Sequence, residues 1–406
     1  MEPLQATAPH ERIEVMDALR GFALLGVFCV NMLTFAQPME LHFLRPLAQH
    51  PSPWTFAILL CLAQGKFYSL FSFLFGLGFA VQLERLRGGG EDGPRRYRRR
   101  LAVLLGLGLL HGVLVWSGDI LFMYGLIGFA LSRFVDRSDR VLRIWILALV
   151  GLLVGVGLVW GFSALRAAHA SPASAVQAAT AQVADSEARI RASLLAYSQG
   201  PFPVLFRQRL HDLFENYAIT FGVSPHILAC FLLGLLTARL GFLSPDERHL
   251  HALKRVAAWG LGLGLPLNLA YTLALVRGPL GPANPRGVIA LSFYVPAAIL
   301  LCLGYAASLA LALRRPAGAW LGALAWPGRM ALTCYLAHSA VFTLVFNAYG
   351  LGLYGRVGLR PALLMALGLW LALIPLCRAW LSRFRMGPVE WVWRSLTYGN
   401  LQRFRA

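Results

Sequence analysis

Residues Arg12 to Asn31 read RIEVMDALRGFALLGVFCVN, and this stretch decides the class of the protein. It has the length and apolar content of a membrane-spanning helix, yet it carries Asp17, Arg20 and Asn31. A charge at bilayer depth costs roughly 2.5–3.5 kcal/mol on insertion scales. Such groups persist where they pair, reach an interface or line a protein interior. Asp17 and Arg20 are spaced i, i+3, and Asn31 returns to the azimuth of Arg20 after three turns. The face through Asp17, Arg20, Leu24, Phe28 and Asn31 is therefore expected to look into a helix bundle. The opposite face, with Phe22, Leu25 and Cys29, is free to meet lipid or other helices. Two readings stay open for the polar face: an interfacial ion pair that caps the span, or one wall of a buried cavity.

The rest of the chain agrees with a membrane protein. Of its 406 residues, 58% are hydrophobic and only 14% charged, and the mean hydropathy is +0.61. Long apolar runs predict an all-α, polytopic transmembrane helix bundle. A β-barrel would show short alternating segments instead. The net charge of +19 does not indicate nucleic acid, because the arginines cluster in short loops between apolar runs. The six cysteines all lie in apolar runs and form no CxxC pair, so they read as small buried hydrophobes. No metal site is expected. His42 and His50 lie in a loop rich in proline and make no metal spacing by themselves. There is no Walker A loop, dinucleotide glycine fingerprint, GxSxG elbow or HExxH. The first apolar run is long and charged, unlike a cleaved signal peptide.

About ten spans are expected, near 16–36, 66–82, 101–116, 120–134, 144–165, 217–240, 256–275, 288–313, 329–349 and 361–380. The short apolar stretch Trp54 to Leu62 reads as interfacial or re-entrant. Pro296 is expected to kink the eighth span. Three parts follow: an N-terminal transmembrane half, 1–165; an external helical excursion, 166–212; and a C-terminal transmembrane half, 213–406, with an amphipathic tail. Basic segments at Arg85–Arg100, Arg133–Arg143, Arg239–Arg255, Arg314–Arg315 and Arg378–Arg405 predict that both termini are cytoplasmic. The expected location is the inner (plasma) membrane of a bacterium, with the lipid bilayer as partner and a homodimer left open.

Several polar residues stand out. His111 lies mid-span, either bonded to a neighbouring helix or available as a general base. Asp119 follows the turn Ser117–Gly118 at a helix start, either an N-cap or the group that orients a histidine. Lys66 either snorkels or joins a polar cluster. Tyr335 and His338 share a face at i, i+3, where each either makes a structural bond in the bundle or touches a substrate. Tyr124 is a further substrate-binding candidate, and Glu390 is placed to pair with Arg394 at i, i+4. Asp17, Arg20, Asn31, Lys66, His111 and Asp119 are expected to converge on one cavity, because mutual pairing is the least costly way to hold them in lipid.

Five segments carry a resemblance: DALRGFALLGVFCVN (Asp17 to Asn31), GKFYSLFSFLFGLGF (Gly65 to Phe79), LLGLGLLHGVLVWSGDILFMYG (Leu104 to Gly125), GRMALTCYLAHS (Gly328 to Ser339) and GPVEWVWRSLTYG (Gly387 to Gly399). Together they resemble the YeiB family, bacterial membrane proteins with a C-terminal domain of unknown function. The N-terminal half is similar in turn to heparan-alpha-glucosaminide N-acetyltransferase and to acyltransferases of cell-surface glycans. The Asp-x-x-Arg-Gly start matches that superfamily at Asp17, Arg20 and Gly21. The glycan enzymes place a histidine near the end of the first helix, where this chain has Asn31. The heparan enzyme uses a histidine in the loop after it, for which His42 is the nearest counterpart. Position 334 is often Asn in relatives and is Cys here; position 338 is often Gln and is His here.

The resemblance implies an acyltransferase that moves an acyl group from acyl-CoA to a hydroxyl or amine of an envelope sugar, lipid or small metabolite. In that scheme His111 is the base, with His42 second choice. Asp119 or Asp17 steadies it, and Arg20, Lys66 or Asn31 supplies the oxyanion donor. His42, Tyr124, Tyr335 and His338 join the substrate-binding candidates, and Arg95, Arg96 and Arg99 stand by the donor's phosphates. The rival reading is a proton-coupled secondary transporter of a small molecule, against which the lack of inverted repeats and of paired broken helices counts.

Overall fold

The computed structural model describes residues 9–43, 47–87, 93–241, 247–276, 278 and 284–405. Among these the chain is all helix, with a single isolated bridge between Phe384 and Arg405. The helices are α1 (Pro9–Phe35), α2 (Glu40–Phe43), α3 (Pro53–Leu62), α4 (Lys66–Arg87), α5 (Gly93–Leu114), α6 (Leu121–Leu131), α7 (Asp139–Ala170), α8 (Pro172–Ser198) and α9 (Phe202–Gly222). They continue as α10 (Ser224–Arg239), α11 (Glu247–Ala274), α12 (Pro285–Ser292), α13 (Tyr294–Leu313), α14 (Ala325–Arg329), α15 (Ala331–Phe346), α16 (Leu359–Leu381) and α17 (Pro388–Tyr398).

Six stretches are long and apolar enough to cross a bilayer, and eight if two bent pairs each count as one crossing. The pairs are α9–α10, bent by 58°, and the 3₁₀ segment Pro316–Leu324 with α14 against α15, bent by 74°, so the expected lack of paired broken helices does not hold. The remaining two of the expected spans are α5 and α6. Arginines fill the first turns of α5, and α6 has only 11 residues, so neither qualifies by length and apolarity.

α1 is the hub. Ala23, Leu24, Phe28 and Met32 are fully buried, as the polar-face reading requires. It packs against α4, α14, α15 and α16, and the Trp370 indole donates to the Gly21 carbonyl at 3.1 Å. Its other face meets protein as well: Phe22 packs edge-on against Phe67 and Tyr305.

Three local readings change. Trp54–Leu62 is not a separate interfacial piece: α3 and α4 together form the 31-residue apolar stretch Pro53–Leu83. They join at Gly65, whose φ of +82° suits glycine alone. The eighth span breaks at Phe293, ahead of Pro296, which sits in the first turn of α13. A proline has no N–H to lose there, so it opens a helix rather than kinking one. The polar section 166–212 is helical and does not end at Asp212, since α9 runs through that residue. α7, at 32 residues, is about 48 Å long and outreaches a hydrocarbon core of about 30 Å.

Tertiary bonds sort the chain into two ends. At one, Gly355 N donates to Ala36 O at 2.8 Å, Ala348 N to Tyr197 O at 2.7 Å and Leu47 N to Leu275 O at 3.0 Å. At the other, Arg239 bonds Arg137 O at 2.6 Å and Asp139 at 3.2 Å, and the Trp393 indole donates to Arg100 O at 3.1 Å. Among the described residues, Arg100, Arg137 and Arg239 lie at this second end.

Glu390 does not pair with Arg394. Its carboxylate takes the backbone N–H groups of Leu332 and Thr333, at 2.8 and 3.0 Å, and the Thr333 hydroxyl. It thereby caps the N-terminus of α15, whose own N-cap, Met330, offers no side-chain acceptor. Burial pushes this carboxyl above its usual range, and the Thr333 bonds pull it back. Removing it strands two buried donors, so Glu390→Ala is expected to cost about 1–3 kcal/mol. Thermal unfolding in detergent measures this; a midpoint equal to wild type would refute the cap.

Candidate functional site

The Ser117–Asp119 turn folds α6 back against α5 and brings Asp119 beneath the last turn of α5. His111 is in that last turn, not in the middle of the helix. Its Nδ1 lies 2.7 Å from Asp119 Oδ2. The other carboxylate oxygen accepts from Phe122 N at 2.9 Å. Both readings of Asp119 therefore hold at once: it caps α6 and binds the imidazole. The tautomer that satisfies this contact with Asp119 as acceptor puts the His111 proton on Nδ1 and leaves Nε2 as the ring's acceptor nitrogen. That Nε2 is buried without a hydrogen-bond partner. The two residues are 3% and 0% exposed, which removes competition from water.

The pair is held from α9 as well, by residues that sequence reasoning missed. Arg209, fully buried, donates to Leu114 O at the end of α5 (2.6 Å) and to the Tyr349 hydroxyl (3.1 Å). Its charge also suits the negative end of the α5 dipole. Asn216 Nδ2 donates to Asp119 O at 3.1 Å. The run RQRLHD (Arg207 to Asp212) looked like solvent-facing polarity, and only the fold turns one of its arginines inward.

A cavity of about 410 Å³ runs between α1, α4, α5, α6, α15 and α17. Its walls are mostly apolar, with Val27, Phe71, Leu74, Phe75 and Leu104 among them. Asp17, His111 and Asp119, expected to converge on it, are not among its lining residues; on the side of the His–Asp pair it is bounded by Gly118, Ile120, Leu121 and Tyr335. The Tyr335 ring stands 5.2 Å from that of His111, centroid to centroid. Arg20, Asn31 and Tyr124 line the same space. Arg20 bonds Asp17 at 2.7 Å; Asn31 Nδ2 is buried without a partner; the Tyr124 hydroxyl lies 2.7 Å from Ser72 Oγ and donates to Tyr68 O. His338 is fully buried and stacks on Phe28 at 3.8 Å.

Other candidates lie elsewhere. Lys66 is completely buried, but its ammonium bonds Leu60 O at 2.7 Å and faces the Tyr294 ring. It closes the end of α3 rather than joining the cavity. His42 forms a pair with His50, its Nδ1 2.9 Å from His50 Nε2 and its own Nε2 3.1 Å from Leu33 O. Ser52 N donates to His50 Nδ1 at 3.0 Å. One tautomer of each ring satisfies all these contacts, so both nitrogens of His42 are committed. Burial, then the neighbouring His50, holds His42 down to about 3, and the pair stays neutral. Arg95, Arg96 and Arg99 are exposed and line no part of the cavity. His226, also missed, is fully buried between Tyr68 and Ser69, at 2.9 and 2.8 Å. The signal was the same as for His111, a histidine in an apolar helix.

The family model described as "Protein of unknown function (DUF418)" matches residues 237–400. That stretch supplies Arg329, Tyr335, Glu390 and Arg394 to the cavity; the His–Asp pair lies upstream of it. Among curated proteins, the uncharacterized protein YxaH of Bacillus subtilis is 32% identical over 99% of this chain and 98% of its own length. The uncharacterized protein YeiB of Escherichia coli is 30% identical over 95% of this chain and 96% of its own. An uncharacterized 39.9 kDa protein encoded in the amylase 3′ region of Bacillus acidopullulyticus is 28% identical over 98% of this chain. With end-to-end similarity at this level, the chain belongs to the YeiB family of membrane proteins, which carry the DUF418 domain.

Proposed function

We propose that this protein is a membrane-embedded acyltransferase, moving an acyl group from acyl-CoA to a hydroxyl or amine of an envelope sugar, lipid or small metabolite. The observation that carries this reading is the buried His111–Asp119 pair, which lies behind Gly118, Ile120 and Tyr335 of a cavity that Arg20, Arg100, Arg329 and Arg394 also line. His111 and Arg100 lie 11 residues apart on α5, about 16 Å along its axis. A donor held by its charged end at Arg100 would extend its thioester toward the pair. His111 Nε2 takes the proton of the acceptor as its oxygen or nitrogen bonds to the thioester carbonyl carbon. Asp119 steadies the imidazolium. The unpartnered Asn31 Nδ2 is the donor available to the oxyanion. Collapse breaks the carbon–sulfur bond, and the imidazolium returns the proton to the leaving thiolate. The Tyr335 ring must move aside for His111 to be reached. The resemblance of the first helix to membrane acyltransferases points the same way.

The test is incubation of purified protein with labelled acetyl-CoA and an envelope extract. Acyl transfer or thiol release that depends on His111 supports the reading. Proton-driven uptake by proteoliposomes with no acyl donor would overturn it in favour of a transporter. The same proposal sets the protein in a bacterial inner membrane with both termini cytoplasmic. Reporters fused at Ala181 and at the C-terminus are then expected to report opposite compartments; identical compartments would overturn the topology.

A further inference from the structure

The arginines nearest the cavity are not those that positive-inside topology explains. Arg20, Arg100, Arg329 and Arg394 line it, from α1, α5, α14 and α17. Topology asks only that arginines occupy one set of loops; it does not ask four helices to place them around one cavity, two of them half-buried and two, Arg329 and Arg394, at its exposed rim. They are close to one another: Arg329 and Arg394 act on the Asp17 carboxyl beside Arg20, and Arg394 and Arg20 act on Arg100. Among the described residues, two carboxylates face this set. Asp17 is taken by Arg20, and Glu390 by the N-terminus of α15. Among the described residues Arg100, Arg329 and Arg394 have no carboxylate partner. Arg100 lies over the Trp393 ring at 3.8 Å, which orients its guanidinium without neutralising it. Arg329 stands 5.8 Å from Trp326 in the same way.

Four cations against two committed carboxylates leave an excess of positive charge at the mouth of a largely apolar cavity. Like charges gathered in such a place repel and lose hydration, so an anion is the group that completes them. Planar guanidinium groups in fixed orientations suit phosphate oxygens best. We propose that Arg100, Arg329 and Arg394, with Arg20 behind them, form a clamp for the phosphates of the acyl donor. This rests on the acyltransferase reading and deepens it, and it moves the phosphate site from the exposed Arg95, Arg96 and Arg99 to the cavity mouth. It also explains the placement of α17, since the C-terminal helix carries Arg394 and Trp393 and is pinned in place by Glu390.

The experiment is calorimetric binding to the purified full-length protein in detergent, with coenzyme A and adenosine 3′,5′-bisphosphate as probes. The expected result is that both bind and compete, and that Arg394→Gln and Arg100→Gln each weaken coenzyme A about tenfold or more, the loss of a charge-assisted bond. The exposed Arg98→Gln is expected to leave the affinity unchanged. A melting temperature for each variant shows that it is folded. Should Arg100→Gln not fold, Arg394→Gln, on the exposed face of α17, carries the test. Unchanged affinity in folded Arg394→Gln would overturn the clamp. So would displacement of both probes by vesicles rich in phosphatidylglycerol and not by phosphatidylcholine vesicles, which would make these arginines a lipid headgroup site. If coenzyme A binding depends on the arginines but no acyl transfer occurs, the clamp stands and the acyltransferase reading falls. If transfer depends on His111 while the arginine variants bind normally, the reverse holds.

Discussion

His111→Ala is expected to lower acyl transfer by about 10²–10⁴-fold, the usual contribution of a positioned general base. The loss should appear in turnover rather than in coenzyme A affinity, because the imidazole meets the acceptor and not the donor's phosphates. Asp119→Asn is the sharper partner experiment. An amide at that position still offers an oxygen, which keeps the Phe122 N–H contact seen now at 2.9 Å. It no longer offers a negative charge to the imidazolium formed in the reaction. Its nitrogen would face His111 Nδ1 as a donor and favour the wrong tautomer, the same consequence seen in hydrolytic triads. Turnover should therefore fall nearly as far as in His111→Ala, with little change in unfolding midpoint. The double variant should be scarcely worse than either single one, since groups acting as a unit are not additive. Multiplicative losses, or full turnover in folded His111→Ala, would remove the pair from the chemistry.

Much of the architecture was legible because lipid makes sequence pattern explicit. The polar face of α1 could be phased from Asp17, Arg20 and Asn31, and the structure buries its Leu24 and Phe28 completely. The Ser117–Asp119 turn forced two apolar runs into a hairpin, which put His111 and Asp119 within reach. What was hidden depends on partners the sequence does not name. Lys66 is satisfied by a backbone carbonyl at Leu60, and every residue has one of those. Glu390 and Arg394 obey the helical i, i+4 rule on paper. The backbone of α15 outbids Arg394, because several N–H groups outweigh one exposed ion pair. Arg99 and Arg100 differ by a single residue, yet a helix turns about 100° between neighbours. One points out and the other lines the cavity, and no run of arginines shows which is which. Arg209 was invisible for the opposite reason, a charge in a polar segment that folding alone carries inside.

Gly21→Val is expected to prevent folding outright. Gly21 ends the Asp17–Arg20–Gly21 signature of α1, and a Cβ built there would stand 1.9 Å from Leu324 O. Facing it across the same contact, a Cβ at Gly328 would stand 1.7 Å from Asp17 O. In both cases the obstacle is backbone, which cannot swing away as a side chain can. The two glycines let α1 and the segment leading into α14 touch main chain to main chain, the close approach that small residues permit between membrane helices. Separating them would disturb the adjacent Arg20, Asp17 one turn away and the Trp370–Gly21 bond on the far side. The expected cost exceeds about 4 kcal/mol, beyond the range of ordinary substitutions. Gly328→Ala should fail in the same way. Gly106→Ala is the matched control, since a Cβ there meets nothing within 4 Å. Monodisperse protein recovered in detergent, and its thermal midpoint, are the measurements. Recovery of Gly21→Val at the wild-type midpoint would mean that α1 does not rest directly on the α14 segment. The Asp17–Arg20 pair would then lose the support that holds it at the cavity wall.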